Sequence, residues 1–227
     1  MLNKNIVAIG GGGFGRSLGS LAIEKYIVSL VPKKNPKICF IPTASGDNDL
    51  YKLNFYRAFS QLNCKTSHID FFSRTENLAE KVLNQDIIYV GGGNTKSMIA
   101  VWKEWNLDEI LRNAYGNGVV MSGVSAGAIC WFDKGITDSF ADKLEIIDCL
   151  GIVKGIACPH FDEEKEREPF VNKVIENQII KSCICIEGNC ALHIKNDYDY
   201  SSIDFGKGKI CFRLIKEKNV FKKILFE

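Results

Sequence analysis

Met121-Ser122-Gly123-Val124-Ser125-Ala126-Gly127-Ala128-Ile129-Cys130-Trp131 joins an apolar strand to an apolar helix through a run of small residues centred on one serine. A G-x-S-x-G pattern between a strand and a helix is the context of a nucleophile elbow. Small residues on both sides of Ser125 permit a sharp turn that lifts the hydroxyl out of the sheet. The Ala126 N–H at the helix start can then face a developing oxyanion. The alternative is a tight turn in which Ser125 only caps the helix, so other residues have to supply the rest of the chemistry.

Upstream of this segment, short β-rich runs alternate with helical stretches. Ile6-Val7-Ala8-Ile9 reads as a strand, Ser17 to Leu30 as a helix, and Lys37 to Ile41 as a strand running into Pro42-Thr43-Ala44-Ser45-Gly46. Leu50 to Leu62 reads as a helix, Thr66 to Phe71 as extended and Asn77 to Leu83 as a helix. Ile87-Ile88-Tyr89-Val90 is a buried strand, followed by helical Thr95 to Trp105 and Leu107 to Tyr115. Such alternation predicts an α/β fold with a mostly parallel sheet, helices on both faces, and functional groups at the carboxyl ends of the strands. Beyond Phe132 the pattern loosens. A loop to about Lys143, extended Glu145 to Ile156, a charged helix from Glu163 to about Asn177 and four further strands are expected. With no Pro-, Ser- or Gly-rich linker, residues 1–227 read as a single domain.

The 29 basic and 27 acidic residues nearly cancel, giving a formal charge of +2 with 46% hydrophobic residues. No run of five or six like charges occurs, so there is no electrostatic case for nucleic acid or an anionic membrane. No apolar stretch reaches the length of a membrane span, and the first residues turn into glycines before a signal-peptide core develops. A cytoplasmic protein is therefore expected. Nine cysteines, mostly inside apolar runs, fit that compartment as free thiols. Cys183-x-Cys185 with Cys190 and His193 lacks a C-x-x-C knuckle and reads as buried strand residues, so neither metal nor another cofactor is expected.

A serine nucleophile needs a base, and only His68, His160 and His193 exist. His68 and His193 lie inside predicted strands. His160, in Cys158-Pro159-His160-Phe161-Asp162, follows a strand-breaking proline and sits on a loop, which makes it the expected base. For the acid that orients the imidazole, Asp133, Asp138, Asp142, Glu145 and Asp148 lie between Ser125 and His160. Asp138, in the small polar turn Gly135-Ile136-Thr137-Asp138-Ser139, is preferred. Gly91-Gly92-Gly93-Asn94-Thr95 ends another strand. Its N–H groups could complete an oxyanion hole or hold a substrate carboxylate, while Asn94 or Thr95 could equally serve as an N-cap.

Gly91-Gly92-Gly93-Asn94-Thr95, Gly123-Val124-Ser125-Ala126-Gly127-Ala128 and Pro159-His160-Phe161 together resemble, in order and approximate spacing, the peptidase E (α-aspartyl dipeptidase) and cyanophycinase group of serine peptidases. The resemblance implies a fold like that of class I glutamine amidotransferases. It also implies Ser125 as nucleophile, His160 as base, an acid from the intervening loop, and Gly92 and Ala126 N–H groups as the oxyanion hole. In peptidase E an arginine beyond the histidine helps bind an acidic substrate side chain, which makes Arg167 the candidate clamp, flanked though it is by Glu166 and Glu168. Glu187-Gly188-Asn189 resembles a late acidic segment of the family.

Gly10-Gly11-Gly12-Gly13-Phe14-Gly15 satisfies G-x-G-x-x-G after the first strand, as a dinucleotide site would. The acidic residue that should close the second strand is missing, so these glycines read as a tight turn bordering the cleft. The expected activity is hydrolysis of short peptides, with N-terminal aspartyl or isoaspartyl bonds as candidate substrates. The partner is then a short peptide substrate, and a homo-oligomer is compatible with the sequence. An esterase or amidase using the same elbow, and a noncatalytic ligand-binding relative, are the competing readings.

Overall fold

The computed structural model describes residues 3–206 and 208–226. Strands β1 (Asn5–Ile9), β2 (Lys37–Ile41), β3 (Lys65–His68), β4 (Ile87–Val90) and β5 (Val120–Val124) alternate with helices α1 (Ala22–Ser29), α2 (Asp49–Ser60), α3 (Leu78–Leu83), α4 (Thr95–Glu104) and α5 (Leu107–Gly116). These five strands run parallel, in the order β1-β5-β4-β2-β3. Strand β4 is buried at every residue, because a parallel sheet wound by crossover helices has no solvated face.

The period of two along β1 divides the core. Ile6 and Ala8 point into a cluster with Met98, Trp102, Leu107 and Leu111 of α4 and α5. Val7 and Ile9 point to the other face, into a cluster with Ile23, Ile27, Phe55 and Phe59 of α1 and α2. Helices therefore cover both faces, as the alternation predicts.

The rest of the chain comprises α6 (Ala126–Ile129), β6 (Phe132–Thr137), β7 (Glu145–Asp148), β8 (Val153–Cys158), α7 (Arg167–Glu176), β9 (Ser182–Ile186), β10 (Cys190–Lys195), β11 (Asp199–Asp204), β12 (Cys211–Glu217) and β13 (Val220–Leu225). Strands β10 and β11 extend the first sheet antiparallel beside β1, making it seven-stranded. The others form a mixed six-stranded sheet, β13-β12-β9-β8-β6-β7. One hydrophobic cluster contains residues of both sheets, among them Ile6, Val90, Phe132, Ala157 and Cys211.

Several expected boundaries shift. The segment after Phe132 is strand β6 rather than loop, and β7 and β8 are separate strands, divided where Gly151 takes a positive φ of 65°. The expected helix from Ser17 begins only at Ala22, after Leu21 in the left-handed region. Phe14 explains this delay. It is buried among Phe40, Tyr51, Phe55, Phe59 and Tyr89, and its N–H donates to the buried Glu24 carboxylate at 2.6 Å, which ties residues 10–20 down as a loop. Among the described residues no helix is long and apolar enough to cross a membrane, and no cluster of three metal-ligating side chains forms.

His193 on β10 is 1% exposed, with Tyr26 Oη 2.7 Å from Nδ1 and Asn5 Oδ1 3.0 Å from Nε2. The neutral tautomer with its proton on Nε2 satisfies both partners. Burial, reinforced by Lys195, lowers its pKa from 6.5 to about 4. The unfolded chain then binds the extra proton first, so stability is intact above pH 6.5 and declines as pH falls towards 4, by about 3 kcal/mol in all. Urea unfolding across this range should show His193→Asn less stable at neutral pH but with a flatter acid decline.

Candidate active site

Strand β5 ends at the elbow. Ser125 takes φ 57° and ψ −111°, a backbone conformation that side-chain-bearing residues rarely adopt. Three contacts enforce it. Ser125 N–H donates to Ile9 O of the neighbouring strand at 3.0 Å, while its own carbonyl accepts from Ala128 and Ile129 N–H at 2.9 and 3.1 Å. The flanking glycines let this turn press onto the sheet, because a Cβ on Gly123 would overlap the Gly127 carbonyl and one on Gly127 would overlap the Val90 carbonyl. Ala126, as first residue of α6, has an N–H with no intrahelical acceptor.

Ser125 and His160 line one cleft of about 240 Å3, together with Gly12, Gly15, Arg16, Tyr51, Gly92 and Val124. It lies beyond the carboxyl ends of the parallel strands. A larger hollow of about 980 Å3 opens at their other ends, where Asn84, Asn117 and Lys195 line it and no nucleophile stands beside a base. Among the described residues no hydrogen bond joins Ser125 to the His160 ring, and the shared cleft is what brings the two side chains together.

His160 follows β8 at the end of the second sheet. Its φ is 51°, its N–H donates to Gly10 O at 3.2 Å, and its carbonyl accepts from Glu163 and Glu164 N–H at 3.0 and 3.1 Å. That turn carries Glu163 back over the ring, placing Oε2 2.6 Å from Nδ1. With Nδ1–H donating to the carboxylate, Nε2 keeps its lone pair. Asp162 anchors the turn by accepting from Gly188 N–H at 2.7 Å and Lys209 Nζ at 2.6 Å. Burial pushes the Glu163 carboxyl up, but hydrogen bonds from Arg16 and His160 outweigh it and hold the group below its usual value. Glu163 is therefore a carboxylate at neutral pH.

The carboxylate on His160 is thus Glu163 and not Asp138, a correction to the sequence-based choice. Asp138 is 67% exposed and pairs with Arg167 at 3.9 Å. It follows the last residue of β6, Thr137. The i, i+3 spacing of His160 and Glu163 was a usable signal, hidden within the mixed-charge run Asp162 to Glu168.

Arg167 is also not free to clamp a ligand. It is 2% exposed, and its guanidinium donates to Glu164 at 2.7 Å and to Ile136 O at 3.0 Å. Asn94 and Thr95 serve the scaffold. Asn94 caps α4 by accepting from Ser97 N–H at 2.8 Å, and Thr95 N–H donates to Ser139 Oγ at 2.7 Å. Gly92 does face the cleft, with its N–H donating to Tyr51 Oη at 3.3 Å. Burial raises the Tyr51 phenol to about 12, so this acceptor is neutral. Glu187, in the late acidic segment, accepts from Ile210 N–H at 3.0 Å.

The model of peptidase family S51 matches residues 6–199. The chain belongs to peptidase family S51. It is 42% identical over 222 residues to the uncharacterized peptidase YgaJ of Bacillus subtilis strain 168, covering 97% of this chain and 96% of the relative. It is 28% identical to the uncharacterized peptidase Lmo0363 of Listeria monocytogenes, over 65% of this chain and 76% of that one. Among solved structures, a Listeria monocytogenes EGD-e protein named for peptidase E superposes with a TM-score of 0.68 at 20% identity, covering 90% of this chain and all of that one. A peptidase from an acI-B1 Actinobacterium gives 0.70 at 17% identity, covering 98% and 94%. At these identities the two structures speak for the fold, which is that of peptidase E and like that of class I glutamine amidotransferases. The family makes the chain an enzyme, a peptidase of the peptidase E type.

Because the elbow is closed by backbone against backbone, Gly127→Ala has no flexible side chain to push aside. It should destabilise the fold by about 1–3 kcal/mol. Thermal unfolding should show a lower midpoint, with peptidase activity reduced even in the fraction that stays folded.

Proposed function

We propose that the protein hydrolyses short peptides by serine acyl transfer, with Ser125 as nucleophile, His160 as general base and acid, and Glu163 as the acid that orients it. The observation that carries this reading is the strained Ser125 elbow sharing a cleft with a histidine whose Nδ1 lies 2.6 Å from a carboxylate. Ser125 Oγ attacks the scissile carbonyl carbon while His160 Nε2 takes the hydroxyl proton. The oxyanion is met by the N–H groups of Ala126 and Gly92, the latter exchanging Tyr51 Oη for the substrate oxygen. Collapse breaks the C–N bond and the leaving amine takes the proton from His160. Water then attacks the acyl-enzyme with His160 as base, and its collapse returns the proton to Ser125.

Short substrates suit a cleft of this size. An N-terminal aspartyl or isoaspartyl preference is supported by the resemblance to peptidase E alone, since Arg167 is enclosed.

Steady-state hydrolysis of Asp-X, β-aspartyl, neutral dipeptides and simple esters tests the reading. Ser125→Ala should abolish turnover while its thermal unfolding matches wild type. Glu163→Gln should lower kcat by about 10^3- to 10^4-fold, the scale expected when a histidine loses its orienting acid. Asp138→Asn should change kcat less than about threefold, given that carboxylate's exposure and its pairing with Arg167. Full turnover by Ser125→Ala would refute the mechanism, and turnover of esters alone would replace the peptidase assignment with an esterase one.

A further inference from the structure

The glycine-rich loop after β1, which shows no nucleotide-binding fingerprint beyond its glycines, delivers Arg16 to the cleft. Arg16 Nη1 lies 2.5 Å from Glu163 Oε1, on the carboxylate oxygen opposite the one that faces His160. Its Nη2 lies 3.3 Å from His160 Nδ1. With the Nδ1 proton committed to Glu163, this second approach is a cation placed against the ring edge rather than a second donor to it.

We infer that Arg16 is a positioning residue for the hydrolysis, fixing the Glu163 carboxylate and, through it, the His160 ring. The inference rests on the Ser125–His160–Glu163 reading above. One carboxylate oxygen held by a guanidinium cannot rotate away from the imidazole without breaking a charge-assisted bond.

The loop is built for this placement. Phe14 anchors it in the aromatic cluster, and Arg16 and Ser17 N–H groups both donate to Gly13 O, at 3.0 and 3.1 Å. Arg16 therefore stands two residues from a buried anchor. Gly11 makes room for the pair it serves, because a Cβ there would sit 2.6 Å from Glu163 Oε2 and 2.8 Å from His160 Nδ1. The loop is fastened from the other side as well, with Asn189 N–H donating to Gly11 O at 2.9 Å. Burial alone would raise the Glu163 carboxyl, and the Arg16 hydrogen bond is among those that hold it below its usual value.

The charged groups beside the imidazole are Glu163 on its own turn and Arg16 on the β1–α1 loop.

The test is steady-state kinetics on acidic and neutral dipeptides, for wild type, Arg16→Met, Arg16→Lys, Ser125→Ala and the Arg16→Met/Glu163→Gln double variant. Arg16→Met should lower kcat by about 10- to 100-fold on both substrate classes, the scale of a misplaced catalytic group. Its KM should change less than about twofold on either substrate class. Arg16→Lys should recover part of kcat. In the Glu163→Gln background, Arg16→Met should cost little more, since both changes break one chain of contacts. An unchanged kcat in Arg16→Met would overturn the inference. So would a KM increase confined to acidic substrates, which would make Arg16 a substrate clamp. Turnover surviving in Ser125→Ala would instead sink the mechanism on which the inference rests.

Discussion

The structure depends on one close approach of backbones at the end of β5. Gly127 packs directly against the Val90 carbonyl and Gly123 against the Gly127 carbonyl, so the chain turns from strand into α6 within van der Waals distance of β4. Only this compression leaves Ser125 in its strained conformation, and only a sheet rigid on both faces can hold it there. The two hydrophobic clusters above and below the parallel strands supply that rigidity and reach the residues on either side of Ser125, Val124 in one and Ala126 in the other.

His160 arrives from elsewhere in the fold. It follows β8 of the second sheet, and its position relative to Ser125 is set by how the turn after β8 meets the glycine loop after β1. The backbone bonds His160 N–H to Gly10 O, Gly10 N–H to Cys190 O and Asn189 N–H to Gly11 O stitch the His160 turn, the glycine loop and the start of β10 together. The loop between β1 and α1 is thus the joint between the two sheets, and the buried Glu24 that accepts from Phe14 N–H holds that joint closed. Burial raises the Glu24 pKa, and the backbone hydrogen bond from Phe14 opposes that rise.

Much of this was legible in the residue order. Apolar strands ending in glycine turns gave the parallel half, and the small residues around Ser125 marked the elbow, because close backbone approach leaves a compositional trace. Elimination among three histidines reached His160 for a similar reason: a proline before it rules out a continuing strand. The second sheet was less legible. Strand β6 carries Asp133, Lys134 and Gly135 and therefore lacks a clean alternation, although its buried ends pack against α6 and β8. The carboxylate beside His160 lies outside the span between Ser125 and His160, because a turn brings it from just beyond the histidine.

Arg167 and Arg16 show how far burial decides what a side chain can do. Both are arginines beside glutamates, and in the sequence Arg167 stands where a substrate clamp is expected. Its guanidinium is enclosed, with Glu164 balancing its charge and Ile136 O taking another N–H, so freeing it for a ligand would strand Glu164 and an unpaired carbonyl. Such a residue holds α7 to β6. Arg16 is 51% exposed at the cleft, so it can keep a protein carboxylate and still meet solvent. The desolvation cost that fixes Arg167 as scaffold is largely absent at Arg16, and the chemistry of the cleft falls to the arginine of the glycine loop rather than to that of the helix.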